Sequence, residues 1–275
     1  MDIRDKTFKR TIIVLFILVF LTTIFFFDND SRFIRDLIEY FKGYGYYKDL
    51  ETLLSGFNFI YHVDMLVTWT FAPYQFMMIP IIAIAGVFMF SRLHGIFMYE
   101  SIKYEQRNVF FIKKALLYSL GISFSFFMTY FIFLIIAFIF LRIDYESGII
   151  YRSLFVDILG KNLYFSHREI FYFLEGFTRF LFIPFVYSMF SCAIAFFVNK
   201  KHMAYFVPLL IWFGFMAVGY LFYYLFPNIG QYFSPTMILA SSSYQVNTFF
   251  ALLPHLIVLS ASIYFIIKAA KSYEF

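Results

Sequence analysis

Charge is scarce in this chain, and cysteine scarcer still. Asp, Glu, Lys and Arg make up 14% of the 275 residues, and none of them occurs between 203 and 267. A soluble domain would leave that stretch without a solvated face. Cys192 is the only cysteine, which excludes an intramolecular disulfide and a fold stapled by disulfides. Its sulfur is read as a small apolar packing group. Chemical motifs are missing as well. Gly160-Lys161 is followed by Asn162, and Phe155 stands where the first glycine of a phosphate-binding loop belongs. The chain is therefore not expected to hydrolyse ATP. Neither His-Glu-x-x-His nor Gly-x-Ser-x-Gly is present. His62, His94, His167, His202 and His255 are scattered without ligand spacing, so no metal site is expected. The net charge of +5 is not gathered on one basic face of a soluble fold, which argues against nucleic acid as a partner.

What the chain has is apolar bulk. Hydrophobic residues account for 62% of it and aromatic residues for 25%, with 45 phenylalanines, against roughly 45–50% apolar residues in soluble domains. The bulk falls into six uncharged runs, at 11–27, 71–90, 115–141, 180–198, 203–226 and 249–267. Hydrocarbon offers no partner to a backbone N–H or C=O, so runs of this length must cross it as helices. The expected fold is an all-α polytopic membrane protein, a single transmembrane domain over 1–275 with six transmembrane helices. Met1–Phe27 resembles a secretory signal, but Phe25, Phe26 and Phe27 lead into Asp28 without a small-residue cleavage site, so an uncleaved anchor is expected.

Basic residues set the orientation. Segments 1–10, 91–114, 199–202 and 268–275 hold 4, 5, 2 and 2 Lys or Arg, thirteen of the 22 in the chain. The longer segments on the other side carry 12 of the 17 acids. Lys and Arg density marks the cytoplasmic side, which places both termini inside.

Between the runs, Phe33, Ile34, Leu37, Ile38 and Phe41 share one face of a predicted helix, and Gly43-Tyr44-Gly45 ends it. A second short helix is expected around Leu50–Phe57. The external segment 28–70 then forms a small cap or lies on the membrane surface. The fourth helix should begin before its run, because Glu175 and Arg179 stand four residues apart and can pair. Pro80, Pro184 and Pro208 are expected to kink their helices. His255, after Pro254, is the one imidazole inside a run, and an ionisable group there is a functional candidate by default. Its plain alternative is a neutral side chain bonded across helices. Glu175 and Arg179 have the same plain alternative, a structural pair at the outer membrane edge.

Two connectors stand out. In 91–114, Glu100, Lys103, Tyr104 and Arg107 share one helical face by their spacing, which suits either docking to a soluble partner or a solvated linker. The connector 227–248 is too polar for a seventh span and too uncharged for an exposed loop, so it is read as a re-entrant or interfacial pair of short helices.

On these residues the chain resembles the membrane subunits of ABC-2-type exporters of bacteria. Tyr99-Glu100 followed by Lys103, Arg107 and Lys113 is similar to the acidic-then-basic cytoplasmic helix that docks the ATPase in that family, and 227–248 is similar to its external re-entrant helices. The resemblance implies a multi-pass protein of the bacterial cell membrane. It also implies a separate cytosolic ATPase that binds ATP and Mg, and a second copy of the chain or a related permease. Docking would run through Tyr99, Glu100, Lys103, Tyr104 and Arg107, with no cofactor in this chain. Cargo would be hydrophobic or amphipathic, peptide first, and would take a path lined by two such subunits, with membrane lipid around them. Two other classes stay open. One is a membrane-embedded enzyme using His255 and the span serines 123, 125, 191 and 260. The other is a membrane immunity or assembly factor that transports nothing.

Overall fold

The computed structural model describes residues 3–44, 49–58, 63, 71–94, 107–143, 162–226 and 248–272. Among these the chain is helical, and the one pairing of extended backbone is an isolated bridge between Asn58 and Arg142. The helices are α1 (Ile3–Ser31), α2 (Phe33–Phe41), α3 (Leu50–Ser55), α4 (Phe71–Leu93), α5 (Arg107–Phe140), α6 (Arg168–Ile194), α7 (Lys201–Leu225) and α8 (Thr248–Ser272). Five of them, α1, α5, α6, α7 and α8, are long and apolar enough to cross a membrane. In α4 the apolar stretch Met78–Leu93 closes a helix of 23 residues.

The helices outrun the apolar runs that nucleate them. α1 extends past 11–27 at both ends, and α5 takes in Arg107–Lys114, which the sequence had assigned to the cytoplasmic connector. A helix satisfies its own backbone in water as well as in lipid, so the edge of hydrophobicity does not end it. α6 begins at Arg168, before the apolar run at 180–198 as expected, and ends at Ile194, short of the end of that run. Tyr99, Glu100, Lys103 and Tyr104 lie outside the described residues, as does the connector 227–247.

Within the spans, hydroxyl side chains return to their own helix. Thr22, Thr23, Ser123, Thr129, Ser191 and Ser262 each donate to the carbonyl four residues earlier, at 2.6–3.0 Å. This satisfies a hydroxyl in an apolar medium without a partner helix.

α5 and α6 form the interior, and α4 packs along α6 and α7. Gly86 of α4 is the closest approach. A Cβ there would stand 2.6 Å from the Ser191 carbonyl oxygen and 2.9 Å from that of Ala204, so three backbones converge on the absent side chain. α1 lies along α5, and α8 along α5 and α6. Much of α1, α7 and α8 faces outward, with Val14, Leu210 and Ile257 all exposed.

Successive long helices alternate in direction. Phe8 of α1 packs edge-on against Phe88 of α4 and Tyr118 of α5. Phe111 of α5 meets Phe196 beyond the end of α6, and Phe197 meets Phe265 of α8. The start of α1, α5 and α7 and the end of α4, α6 and α8 thus share one end of the bundle. At the other end, α2 turns back over α1 and α5. Its Phe33 is buried edge-to-face on Phe57, while Ile38 and Phe41 of the same expected face are exposed. Asp49 caps α3 by accepting the Thr52 N–H at 2.6 Å, and hydrogen bonds from Thr52, the side chain first and the backbone N–H second, lower its carboxyl pKa.

Candidate functional site

Two buried polar clusters sit on α6. The first joins α6 to α5. Glu175 and Arg179, one turn apart, pair at 2.8 Å with 2% and 1% of their side chains exposed. The expected pairing is present, and both side chains are buried among the helices. Charges removed from water this completely hold only as a neutralised pair. Around them Phe177–Phe182 is a π-helical stretch, and Pro184 follows it directly. The wider turn lets the chain reach the proline, which has no N–H to give, without forcing its ring into a regular ladder. Tyr130 of α5 locks on: its hydroxyl donates to the Tyr172 carbonyl at 2.7 Å and its ring stacks on Phe180 at 4.6 Å. Gly176 makes room for that ring, since any Cβ there would overlap Tyr130. A turn earlier, Arg168 is fully buried with its guanidinium 4.9 Å over the Tyr164 ring.

The second cluster joins α6, α7 and α8. His255 is 1% exposed, and its Nδ1 lies 3.2 Å from the Tyr187 hydroxyl, the donor being set by the imidazole tautomer. The partner is thus a side chain on another helix, α6. Trp212 of α7 packs edge-on over the same tyrosine at 4.2 Å between ring centres. Three polar atoms of this region find no hydrogen-bond partner among the described residues: His255 Nε2, Trp212 Nε1 and Ser188 Oγ. Each such group in an apolar interior is destabilising by about 1–3 kcal/mol. Beside them a gap of about 10 Å³, lined by Tyr187, Ser191, Pro208 and Trp212 among others, is scarcely large enough for one water.

The two clusters differ in chemistry. The ion pair is closed on itself. The Tyr187–His255 pair keeps an imidazole nitrogen, able to accept or donate a proton, turned away from its bonded partner. Of the serines considered for intramembrane chemistry, Ser123 and Ser191 spend their hydroxyls on helix carbonyls, Ser125 is bonded to Gly121 at 3.3 Å, and Ser260 is exposed. Ser119 lies 3.8 Å from the Cys192 sulfur. Among the described residues no three His, Cys, Asp or Glu side chains cluster as metal ligands would. Arg107 opens α5, and the other docking candidates lie outside the described residues. Tyr187, Trp212, Tyr130 and Arg168 were not singled out from the sequence. Only Arg168 carried a signal, as a charge inside the helix leading to a span.

No family model matches this chain, and no curated protein or solved structure matches it.

Proposed function

We propose that the chain is the membrane subunit of an ATP-driven exporter of the ABC-2 type. It crosses the bilayer six times, α4 being the second span, with both termini in the cytoplasm and 227–248 as external re-entrant helices. One observation carries the reading. The alternating helices gather Lys9, Arg10, Arg92, Lys113, Lys114, Lys200, Lys201, Lys268 and Lys271 toward one end, whose segments 1–10, 91–114, 199–202 and 268–275 hold 13 Lys or Arg against 5 acids. An end so charged belongs on the cytoplasmic side. The connector 95–106, with its mixed charges, joins α4 and α5 at that same end, where a soluble ATPase would meet the bundle.

On this reading the ATPase closes on ATP, and the connector passes the motion to α4 and α5. The two states must differ in the contacts the connector makes, because a ligand shifts an equilibrium only by its differential affinity. Tyr99, Glu100, Lys103, Tyr104 and Arg107 form the docking face. A second copy or a related permease completes the path, and the apolar interior suits a hydrophobic or amphipathic peptide.

Purification in mild detergent with mass spectrometry of bound proteins tests the assignment. The expected partner is a subunit with a phosphate-binding loop, lost together with transport-coupled hydrolysis when Glu100, Lys103 and Arg107 are reversed in charge. A chain that purifies alone and turns over substrate unaided overturns it. The unsatisfied imidazole nitrogen of His255 favours a second reading, a membrane-embedded enzyme. Loss of a partner-independent activity in His255→Asn would select it.

A further inference from the structure

Where α2 folds back over α1 and α5 it encloses a cavity of about 210 Å³. Phe20 and Ile24 of α1, Phe33 and Leu37 of α2, and Phe133 and Ala137 of α5 form most of its wall. Water gains nothing there, since a buried water needs about 2–4 polar partners, and a dry apolar cavity of ~150 Å³ already accepts benzene. The volume is sufficient for a hydrocarbon group.

The surroundings say which one. Two of the three walls belong to helices long and apolar enough to cross the membrane. Their neighbouring residues Phe25, Phe138 and Ile139 are exposed, 68%, 53% and 65%, so the outer surface around the cavity is the surface lipid chains cover. The ends of the lining are marked by exposed arginines: Arg32 directly precedes Phe33, and Arg142 directly follows the wall residue Leu141. Guanidinium groups at that height suit the phosphodiester of a lipid whose tail points inward. The roof is set by backbone geometry. Arg32 holds the left-handed conformation at φ 56°, turning the chain from α1 into α2 within one residue, and Gly43 at φ 75° ends the same helix. Phe33 pins the near end of the roof on Phe57, while Ile38 and Phe41 at the far end touch little.

We propose that this cavity holds one acyl chain of a membrane phospholipid, with α2 as its roof. The proposal goes beyond the exporter reading and requires only that α1 and α5 lie in the bilayer. The full chain in nanodiscs containing phosphatidylglycerol with a mid-chain diazirine provides the test, with adducts mapped by peptide mass spectrometry after photolysis. Phe33 and Leu37 should carry adducts. Ala137→Trp, whose side chain adds nine non-hydrogen atoms, should lower them more than tenfold, since lost space for only two methylene groups already gives about a tenfold change, while adducts on outward-facing Ile139 persist. Ala137→Leu serves the same purpose with less bulk and should lower them by a smaller factor. Wall adducts that neither variant reduces, or that are absent while Ile139 is labelled, overturn the proposal. Loss of an ATPase partner would leave the labelling unchanged, so the two assignments fail separately.

Discussion

Glu175–Arg179 and Tyr187–His255 both draw on α6, are almost fully buried, and behave as opposites. The first pair is neutralised within one turn and clamped by Tyr130 and Gly176. The second spans two helices and leaves one nitrogen of the imidazole, and the indole N–H beside it, without a hydrogen-bond partner among the described residues. An ionisable residue inside a span is therefore not by itself a functional site. What separates the two is whether the surrounding groups consume all of its bonding capacity.

Breaking the first pair should have the largest effect. Glu175→Gln leaves Arg179 buried without its counter-ion and should destabilise the protein by roughly 3–5 kcal/mol, most of it recovered when Arg179→Met is added. Thermal unfolding in detergent reads both, and a single substitution as stable as the parent would show the pair to be hydrated. Gly86→Ala comes next. Its methyl group would meet two backbone carbonyl oxygens that cannot swing aside, which should destabilise by about 1–3 kcal/mol in the same assay.

His255→Asn should barely move stability, by about 1 kcal/mol or less, because a bond to Tyr187 is exchanged for relief of an unsatisfied nitrogen. On the exporter reading its effect should appear instead in transport or partner-stimulated ATP hydrolysis. Equal loss of stability in His255→Asn and Glu175→Gln would erase the distinction between the two clusters. The smallest effect belongs to Asp49, far from both. Its folded pKa is lowered by the hydrogen bonds from Thr52, so the capping contribution is complete above the ordinary carboxyl value and fades as pH falls through the lowered one. Faster amide exchange at Thr52 on acidification, and already at neutral pH in Asp49→Ala, would report it.

Spans were legible because hydrocarbon admits few solutions: an apolar run of 17 to 27 residues is nearly enough to place α1, α5, α7 and α8. Glu175 with Arg179 was legible for a similar reason, since spacing alone sets neighbours on a helix. Helix ends were not, because α5 continues through Arg107–Lys114 without regard to polarity. Contacts between helices were not legible either. Nothing in the order of residues says that Tyr187 reaches His255 across 68 positions, or that Gly86 is the contact point of three helices. The cavity under α2 was equally hidden. The amphipathic pattern of 33–41 announced a helix with an apolar face, but how far that face closes on α1 and α5 depends on packing.

Orientation is the claim on which the rest stands, and it can be read with single cysteines in intact cells. Cys192 is fully buried and should stay silent to a membrane-impermeant maleimide. Cysteine placed at Glu39 should be labelled from outside, and at Lys201 only after the membrane is opened. Labelling of Lys201→Cys but not Glu39→Cys in sealed cells would put the basic end outside and contradict the account.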